Sequence, residues 1–363
     1  MCELKIVKHA LHHNIRLVRR LAGETRVIGV VKGNGYGLGL VELAGHLLEY
    51  GVDCLAVSEL EEALELRRWG LSGDIMLLSP LYDREELEEA LNQKLILCLD
   101  SRQGALAAEG AARHLDCRGR VQLCVDTGFG RYGFPWQQTQ EIWEAARSLE
   151  RMTIWGTYSH LSRSSEQEGQ ETRRQHRRLT QLCRALSQAG VEPGMLHLAE
   201  SWALLKSPQV KLDGVRVGSA FLGRLPFPDQ WGFEPIGSLR ARVREVRTLA
   251  PGSTVGYGGG FTARQTTRIA VVGMGYTQGL GVERRAPGAG SRLSGALRAL
   301  RGGQKPEAME ALAAGQRRFP VLGRVGMCDT VLDVTGQEIR VGELVELPVN
   351  PIFVDSRVPR VYV

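Results

Sequence analysis

The run Val30-Val31-Lys32-Gly33-Asn34-Gly35-Tyr36-Gly37-Leu38-Gly39 closes a short apolar stretch, 27–31, with one lysine and then four glycines within seven residues. The apolar stretch reads as a buried strand. The glycines permit positive φ and close backbone approach. A lysine at the mouth of such a strand meets whatever ligand the turn admits. Two readings stand: a Schiff-base lysine whose amine is partly desolvated and nucleophilic, or a solvated lysine in a flexible turn.

Outward from this strand the chain alternates. Apolar runs at 27–31, 54–57, 75–78, 95–99, 121–125, 152–158, 195–198 and 215–217 read as strands. Helical periodicity occupies 7–21, 40–50, 58–69, 83–91, 101–114, 136–149, 166–189 and a short stretch from 201. Ser58 with Glu61 has the spacing of a capping box. Eight strands alternating with helices predict parallel pairing through right-handed crossovers, and over about 220 residues a (β/α)8 barrel. An open doubly wound sheet is the alternative, but no GxGxxG opens the first helix. Lys32, His160, Ser201 and Gly218 fall just beyond the ends of strands one, six, seven and eight, where barrel active sites form.

After Gly223 the texture changes. Pro226, Pro228, Pro235 and Gly237 mark a connection, and alternating runs at 239–249, 267–272, 331–334 and 344–347 predict a smaller all-β domain. The expected division is 1–225 for the barrel and 226–363 for the β domain. The segment 283–318 carries eight basic and three acidic residues, so it holds +5 of the chain's net +6 and leaves the remainder nearly neutral. The charge therefore does not predict nucleic-acid binding. The segment reads as a solvated excursion, or as an entrance lid or docking surface for an acidic partner.

The 363 residues are enough for two cores, and 43% hydrophobic with 24% charged residues suits a globular protein. No apolar run approaches the roughly 18 residues of a membrane span. The start of the chain has no apolar signal core, and the expectation is a cytoplasmic protein. Seven scattered cysteines, none in a CxxC pair, fit a reducing compartment and offer no zinc-ligand spacing.

The opening run resembles VVKANAYGHG, the pyridoxal 5'-phosphate (PLP) attachment motif of the alanine racemase family. Further matches follow in the family's order. Val125-Asp126-Thr127-Gly128-Phe129-Gly130-Arg131 resembles VDTGMGR, and Tyr158-Ser159-His160 resembles the family's Tyr/Ser-Thr/Ser-His segment. His197-Leu198-Ala199-Glu200-Ser201 resembles HLANS, and Val215-Arg216-Val217-Gly218 resembles VRLG or VRIG. Gly275-Tyr276 resembles the start of GYADG, Gly323-Arg324-Val325-Gly326-Met327 resembles GRVCM, and Arg357-Val358-Pro359-Arg360 resembles RVPR.

The resemblance implies a PLP-dependent amino-acid racemase of fold type III. It implies a head-to-tail homodimer in which the β domain of one subunit completes the other's active site. Lys32 would carry the cofactor and act as base on one face of the substrate, and Tyr276 from the partner would act on the other. Tyr36, Ser201 and the backbone near Gly218 and Ser219 would hold the phosphate. Simpler readings are a packing aromatic for Tyr36 and a helix cap for Ser201. Arg216 would face the ring nitrogen and keep it unprotonated, since arginine does not give up its proton. His160 would link the tyrosine to that arginine. This matters because a phenol with its ordinary pKa of about 10 is a poor base at neutral pH. Arg131 and the backbone at Met327 would contact the substrate carboxylate, for which an arginine fork is suited. No metal ligand is implied.

Several residues depart from the family pattern. Cys124 stands where many members have a carbamylated lysine that orients the arginine seven residues on, so Arg131 needs another support, an anion or Asp126. Glu200 replaces the asparagine of HLANS; pointing inward it would favour a cationic or polar side chain, pointing outward it would cap a helix. Cys328 replaces the aspartate after Met327, Leu38 the histidine of AYGHG, and Thr277-Gln278-Gly279 the ADG. Alanine is the default substrate. The alternatives are serine or a basic amino acid, a PLP-binding protein with little catalysis, and a decarboxylase of the same fold.

Overall fold

The computed structural model describes residues 2–165, 169–282, 309–313 and 317–363. The chain divides into two units, His9–Pro235 and Met1–Lys8 with Ile236–Val363.

The first unit is the expected barrel. Its eight strands are Arg26–Val30, Cys54–Val57, Ile75–Pro80, Ile96–Leu99, Gly119–Asp126, Met152–Tyr158, Met195–Glu200 and Gly214–Val217. Each pairs in parallel with its neighbours, and Gly214–Val217 returns to Arg26–Val30 to close the ring, with Arg216 opposite Ile28. Alternate residues face inward. On one side Ile28, Val30, Cys54, Ala56, Met76 and Ile96 form a dry cluster. On the other, buried Gln122, His197 and Arg216 make the interior polar. Each fully buried Leu or Ile contributes about 1.5–3 kcal/mol, so the apolar half supports the cost of the polar half.

The helices begin where the sequence offers caps. Asp83 Oδ1 accepts from the amides of Glu85 and Glu86, and Ser101 Oγ accepts from Gly104. The capping box expected on Ser58 and Glu61 forms one residue later: Glu62 reaches back to the amides of Ser58 and Glu59. Its register is set by Glu62 because that residue also serves the turn after strand one. The helix expected at 136–149 is shorter, Thr139–Arg147, because Phe134–Pro135 pairs as a strand with Val125 and Asp126. Gln170–Gln188 fills the described part of 166–189.

The expected division at 225/226 differs from the observed one in two ways. Residues up to Pro235 stay with the barrel unit because Asp229 gathers the amides of Trp231, Gly232 and Phe233, and buried Asn14 binds both the carbonyl and the amide of Glu234. The first residues leave it: Glu3–Ile6 pairs antiparallel with Ser238–Leu249 and parallel with Arg360–Tyr362.

The second unit is all-β. Ser238–Leu249, Thr267–Val272, Thr330–Asp333, Arg317–Leu322, Glu310–Ala313 and Leu344–Pro348 form an antiparallel ring that closes on Ser238–Leu249. Leu249, Val255, Ala263, Ile269 and Leu322 make one core cluster. Part of the segment expected to be an excursion, 283–318, is thus sheet: Glu310–Ala313 pairs with Arg317–Leu322 and Leu344–Pro348. The rest of that basic segment, 283–308 and 314–316, lies outside the described residues.

Candidate active site

Strand Arg26–Val30 delivers Lys32 into a turn of unusual hand. Gly33, Asn34, Gly35 and Tyr36 all have φ between 53° and 64°. Two of the four are glycine, and asparagine is among the residues that tolerate this region. The turn is fastened at three points. Glu62 Oε1 accepts from Gly33 N at 2.6 Å, Gly35 N donates to Val31 O at 2.8 Å, and Asn34 Oδ1 accepts from Leu40 N at 3.1 Å. Lys32 is thereby held half-buried at the C-terminal end of the barrel.

Tyr36, at the end of this turn, lies over Gly218. A Cβ at Gly218 would fall 2.5–2.6 Å from the Tyr36 ring and hydroxyl. Buried Ser201 Oγ lies 3.3 Å from Gly218 N and 3.2 Å from Ala220 N, accepting from both. Ser219 opens the short turn Ser219–Leu222. The Tyr36 and Ser201 hydroxyls and the turn Ser219–Leu222 therefore surround a glycine whose missing side chain makes room for the Tyr36 ring. Such donors suit a phosphate group. Ser201 is not the helix cap. Glu200 is: its carboxylate accepts from Trp202 N at 2.9 Å and Ala203 N at 3.0 Å.

Arg216 is buried on the last barrel strand. Its NH1 donates to His197 Nδ1 at 2.6 Å and to His197 O at 3.0 Å, and its NH2 donates to Ser159 O at 2.6 Å. Arginine can only donate, so His197 Nδ1 accepts and Nε2 carries the ring proton, given to Gln122 Oε1 at 2.6 Å. Burial and the Arg216 charge hold His197 well below its ordinary pKa, which keeps this tautomer. The His197 ring stacks on Tyr158 at 5.1 Å. With NH1 and NH2 so fixed, Nε–H has no acceptor among the described residues and is the donor open to a ligand.

His160 lies two residues beyond the end of strand six, Met152–Tyr158. Burial first, then the charges of Arg216, Arg131 and Lys32, push its pKa down to about 3, so it is neutral at ordinary pH. Arg131 belongs to a loop organised by Asp126, whose Oδ1 accepts from the amides of Gly128, Phe129 and Gly130. The Arg131 guanidinium lies 4.8 Å from the Phe129 ring centroid and 5.5 Å from that of Tyr132. Phe129 in turn meets His160 edge-on at 4.6 Å. Asp126 thus shapes the loop and the aromatic rings carry the guanidinium. Cys124 is buried against Cys98 and Tyr158, and Cys98 Sγ lies 3.2 Å from the Tyr158 hydroxyl.

Tyr276 and Met327 lie together in the β unit. Tyr276 N donates to Gly326 O at 2.9 Å, and Thr277 N donates to Met327 O at 3.1 Å. Gly275 allows this approach, since a Cβ there would sit 2.3 Å from Gly326 O. Both side chains are exposed, Tyr276 at 46% and Met327 at 53%. Cys328 is also exposed, with its Sγ 3.7 Å from Thr277 Oγ1.

Three functional contacts were not foreseen from sequence: Glu62 on the lysine turn, Gln122 behind His197, and Phe129 beneath Arg131. Gln122 left a signal, one polar residue inside the apolar run 121–125. Glu62 and Phe129 left none beyond their neighbours in the chain.

Residues 6–226 match the model of the alanine racemase N-terminal domain, and 236–351 that of the alanine racemase C-terminal domain. The alanine racemase of Desulforamulus reducens is 32% identical, over 98% of this chain and 96% of that protein. That of a Nostoc species is 30% identical over 95% of this chain and 85% of that protein. Among solved structures, alanine racemase of Clostridium difficile 630 superposes with a TM-score of 0.85 at 25% identity, covering 100% of this chain and 95% of that one.

Proposed function

The chain belongs to the alanine racemase family, and on that premise we propose that it interconverts L- and D-alanine with PLP as cofactor. One observation carries the reading. The left-handed turn that follows Lys32 brings Tyr36 over Gly218, beside the buried Ser201 hydroxyl, at one end of the barrel.

The residues fit the cofactor group by group. Tyr36, Ser201 and the backbone at Gly218, Ser219 and Ala220 would hold its phosphate. Arg216 would donate from Nε to the ring nitrogen, and Lys32 would join its aldehyde carbon. PLP joined to an amino acid draws electron density from the Cα–H bond and makes that proton removable.

The chain's own residues do the rest. Lys32 Nζ would exchange a proton with Cα on one face. The Tyr276 hydroxyl of a second copy exchanges a proton on the opposite face. Removal on one face with delivery on the other inverts the centre. Neutral His160 would hydrogen-bond the phenol of the second copy and orient it toward Cα. Arg216 keeps its proton and so leaves the ring nitrogen unprotonated, which limits side reactions. Arg131 and the Met327 backbone would orient the carboxylate.

The dimer is head to tail in this reading. The exposure of Tyr276 and Met327 on the β unit supports a role toward a second copy. Free cysteines throughout support a cytoplasmic setting. Among the described residues no helix is long and apolar enough to cross a membrane. A preference for basic amino acids loses its support, since the Glu200 carboxylate is engaged as a helix cap.

The test is a panel. Purified protein with PLP is given L-alanine, L-serine, L-arginine and L-lysine, and the D-enantiomer is measured by chiral chromatography. The highest kcat/KM belongs to alanine and is lost in Lys32→Ala. Turnover of another amino acid with none of alanine sinks the substrate reading, and no turnover at all sinks the activity.

A further inference from the structure

We propose that His12, His46 and Glu49 form a binding site for a zinc-class divalent cation on the outside of the barrel. The proposal is independent of the racemase reading. His12 lies on helix Lys8–Ala22, which precedes the first barrel strand. His46 and Glu49 lie three residues apart on helix Leu40–Glu49, on one face.

Three donor atoms converge. His12 Nε2 is 3.2 Å from His46 Nδ1, and His46 Nδ1 is 3.6 Å from Glu49 Oε2. One donor atom from each of the three residues lies within 4.8 Å of the other two. A proton satisfies only one line of such a triangle. If His46 Nδ1 accepts from His12, the carboxylate faces a lone pair. If Nδ1 donates to Glu49, then His12 presents its own lone pair or a second N–H. A cation at the centre satisfies all three. Zinc bonds to nitrogen and oxygen are about 2.0–2.2 Å, so the edge between two tetrahedral ligands is about 3.3–3.5 Å. The observed separations bracket that edge, and Glu49 is an exposed side chain at a helix end that can close the longer one.

The surroundings favour an ordered site. The His12 ring stacks on Tyr50 at 4.5 Å and 27°. Both imidazoles are half-buried, so little side-chain freedom remains to be lost. Two imidazoles with one carboxylate suit Zn(II), Ni(II) or Co(II) over Mg(II) or Ca(II), which prefer oxygen. Arg16 near Tyr50 and Arg19 on the Tyr50 carbonyl add positive charge nearby, which limits affinity. A bound cation would tie the helix before strand one to the helix that starts right after the Lys32 turn. It would stabilise the barrel unit by binding only the folded form.

The experiment uses PLP-loaded protein freed of metal by chelation and dialysis. Zinc chloride is titrated by calorimetry, and Tm is read with and without zinc, with magnesium chloride as the contrast. Zinc saturates a single site and raises Tm, whereas magnesium does neither. His46→Gln and His12→Gln weaken zinc binding about tenfold or more, since each removes a ligand. His9→Gln and His13→Gln, on the same helix but outside the triangle, leave it as it was. Should either imidazole variant fail to fold, Glu49→Gln at the exposed helix end reads the same loss. Equal zinc binding by wild type and His46→Gln would assign the ion to adventitious ligands such as exposed Cys328 and overturn the proposal. So would no saturable zinc binding.

Discussion

Gly218→Ala tests the phosphate cradle through a single methyl group. The φ of Gly218 is −139°, outside the positive range that favours glycine. The obstacle is Tyr36. The new Cβ would stand 2.5 Å from Cε2 and Cζ and 2.6 Å from the hydroxyl. Carbon atoms settle at about 3.5–4.0 Å, so the ring must retreat by about 1 Å. It cannot do so freely, because Tyr36 itself sits at φ 53° at the end of the fastened turn. Overpacking of this kind costs about 1–3 kcal/mol. A displaced hydroxyl forfeits its bond to an ionised phosphate, about 1.5–3 kcal/mol, which weakens PLP binding about 10- to 150-fold. The assay is a PLP titration followed by absorbance, with circular dichroism to show that the fold persists. In a Tyr36→Ala background the ring is gone, and Gly218→Ala then adds no more than about twofold. PLP affinity within about twofold of wild type in the single variant, or an undiminished loss in the Tyr36→Ala background, refutes the reasoning.

Other predictions follow from the same geometry. His160 has a folded pKa depressed to about 3 against an ordinary value of about 6.5. Below pH 6.5 the unfolded chain takes up a proton that the folded one refuses, so stability falls between pH 6.5 and about 3 and levels off beneath. His160→Gln flattens that limb in denaturant melts at several pH values; an unchanged slope shows that His160 is not its source. Phe129→Leu removes the ring under Arg131 and raises KM for alanine about 2- to 5-fold with kcat little changed, while Phe129→Trp keeps the interaction; the KM of both variants checks it. Glu200→Ala loses a helix cap and about 0.5–2 kcal/mol in denaturant unfolding, and leaves the alanine-to-lysine rate ratio unaltered. A shift of that ratio toward alanine would return Glu200 to the substrate pocket.

The barrel was legible because its determinants are local. Each strand is an apolar run bounded by glycine or a capping residue, and eight of them alternate with helical periods. The role of Glu3–Ile6 was not legible. Four residues that alternate in burial fit many sheets, and their partners Ser238–Leu249 and Arg360–Tyr362 lie more than two hundred residues away. Arg317–Leu322 was hidden for a similar reason: its strand begins with two arginines, and only pairing buries Phe319. At the site, Lys32 and Tyr36 announced themselves through the glycines around them. Glu200 did not, because a carboxylate before a helix can cap it or face a ligand, and only the two amide bonds decide. The Gln122–His197–Arg216 chain depends on strands that are neighbours only once the barrel closes.

The account stands most directly on proton exchange at Cα. PLP-loaded protein is incubated with L-alanine in deuterated water, and loss of the α-proton signal is followed together with chiral analysis. The account predicts D-alanine carrying deuterium from the wild type, no exchange or inversion in Lys32→Ala, and loss of inversion in Tyr276→Phe. Inversion that survives in either variant at the wild-type rate would contradict the two-base assignment. A wild type that binds PLP yet neither exchanges nor inverts alanine would contradict the racemase itself.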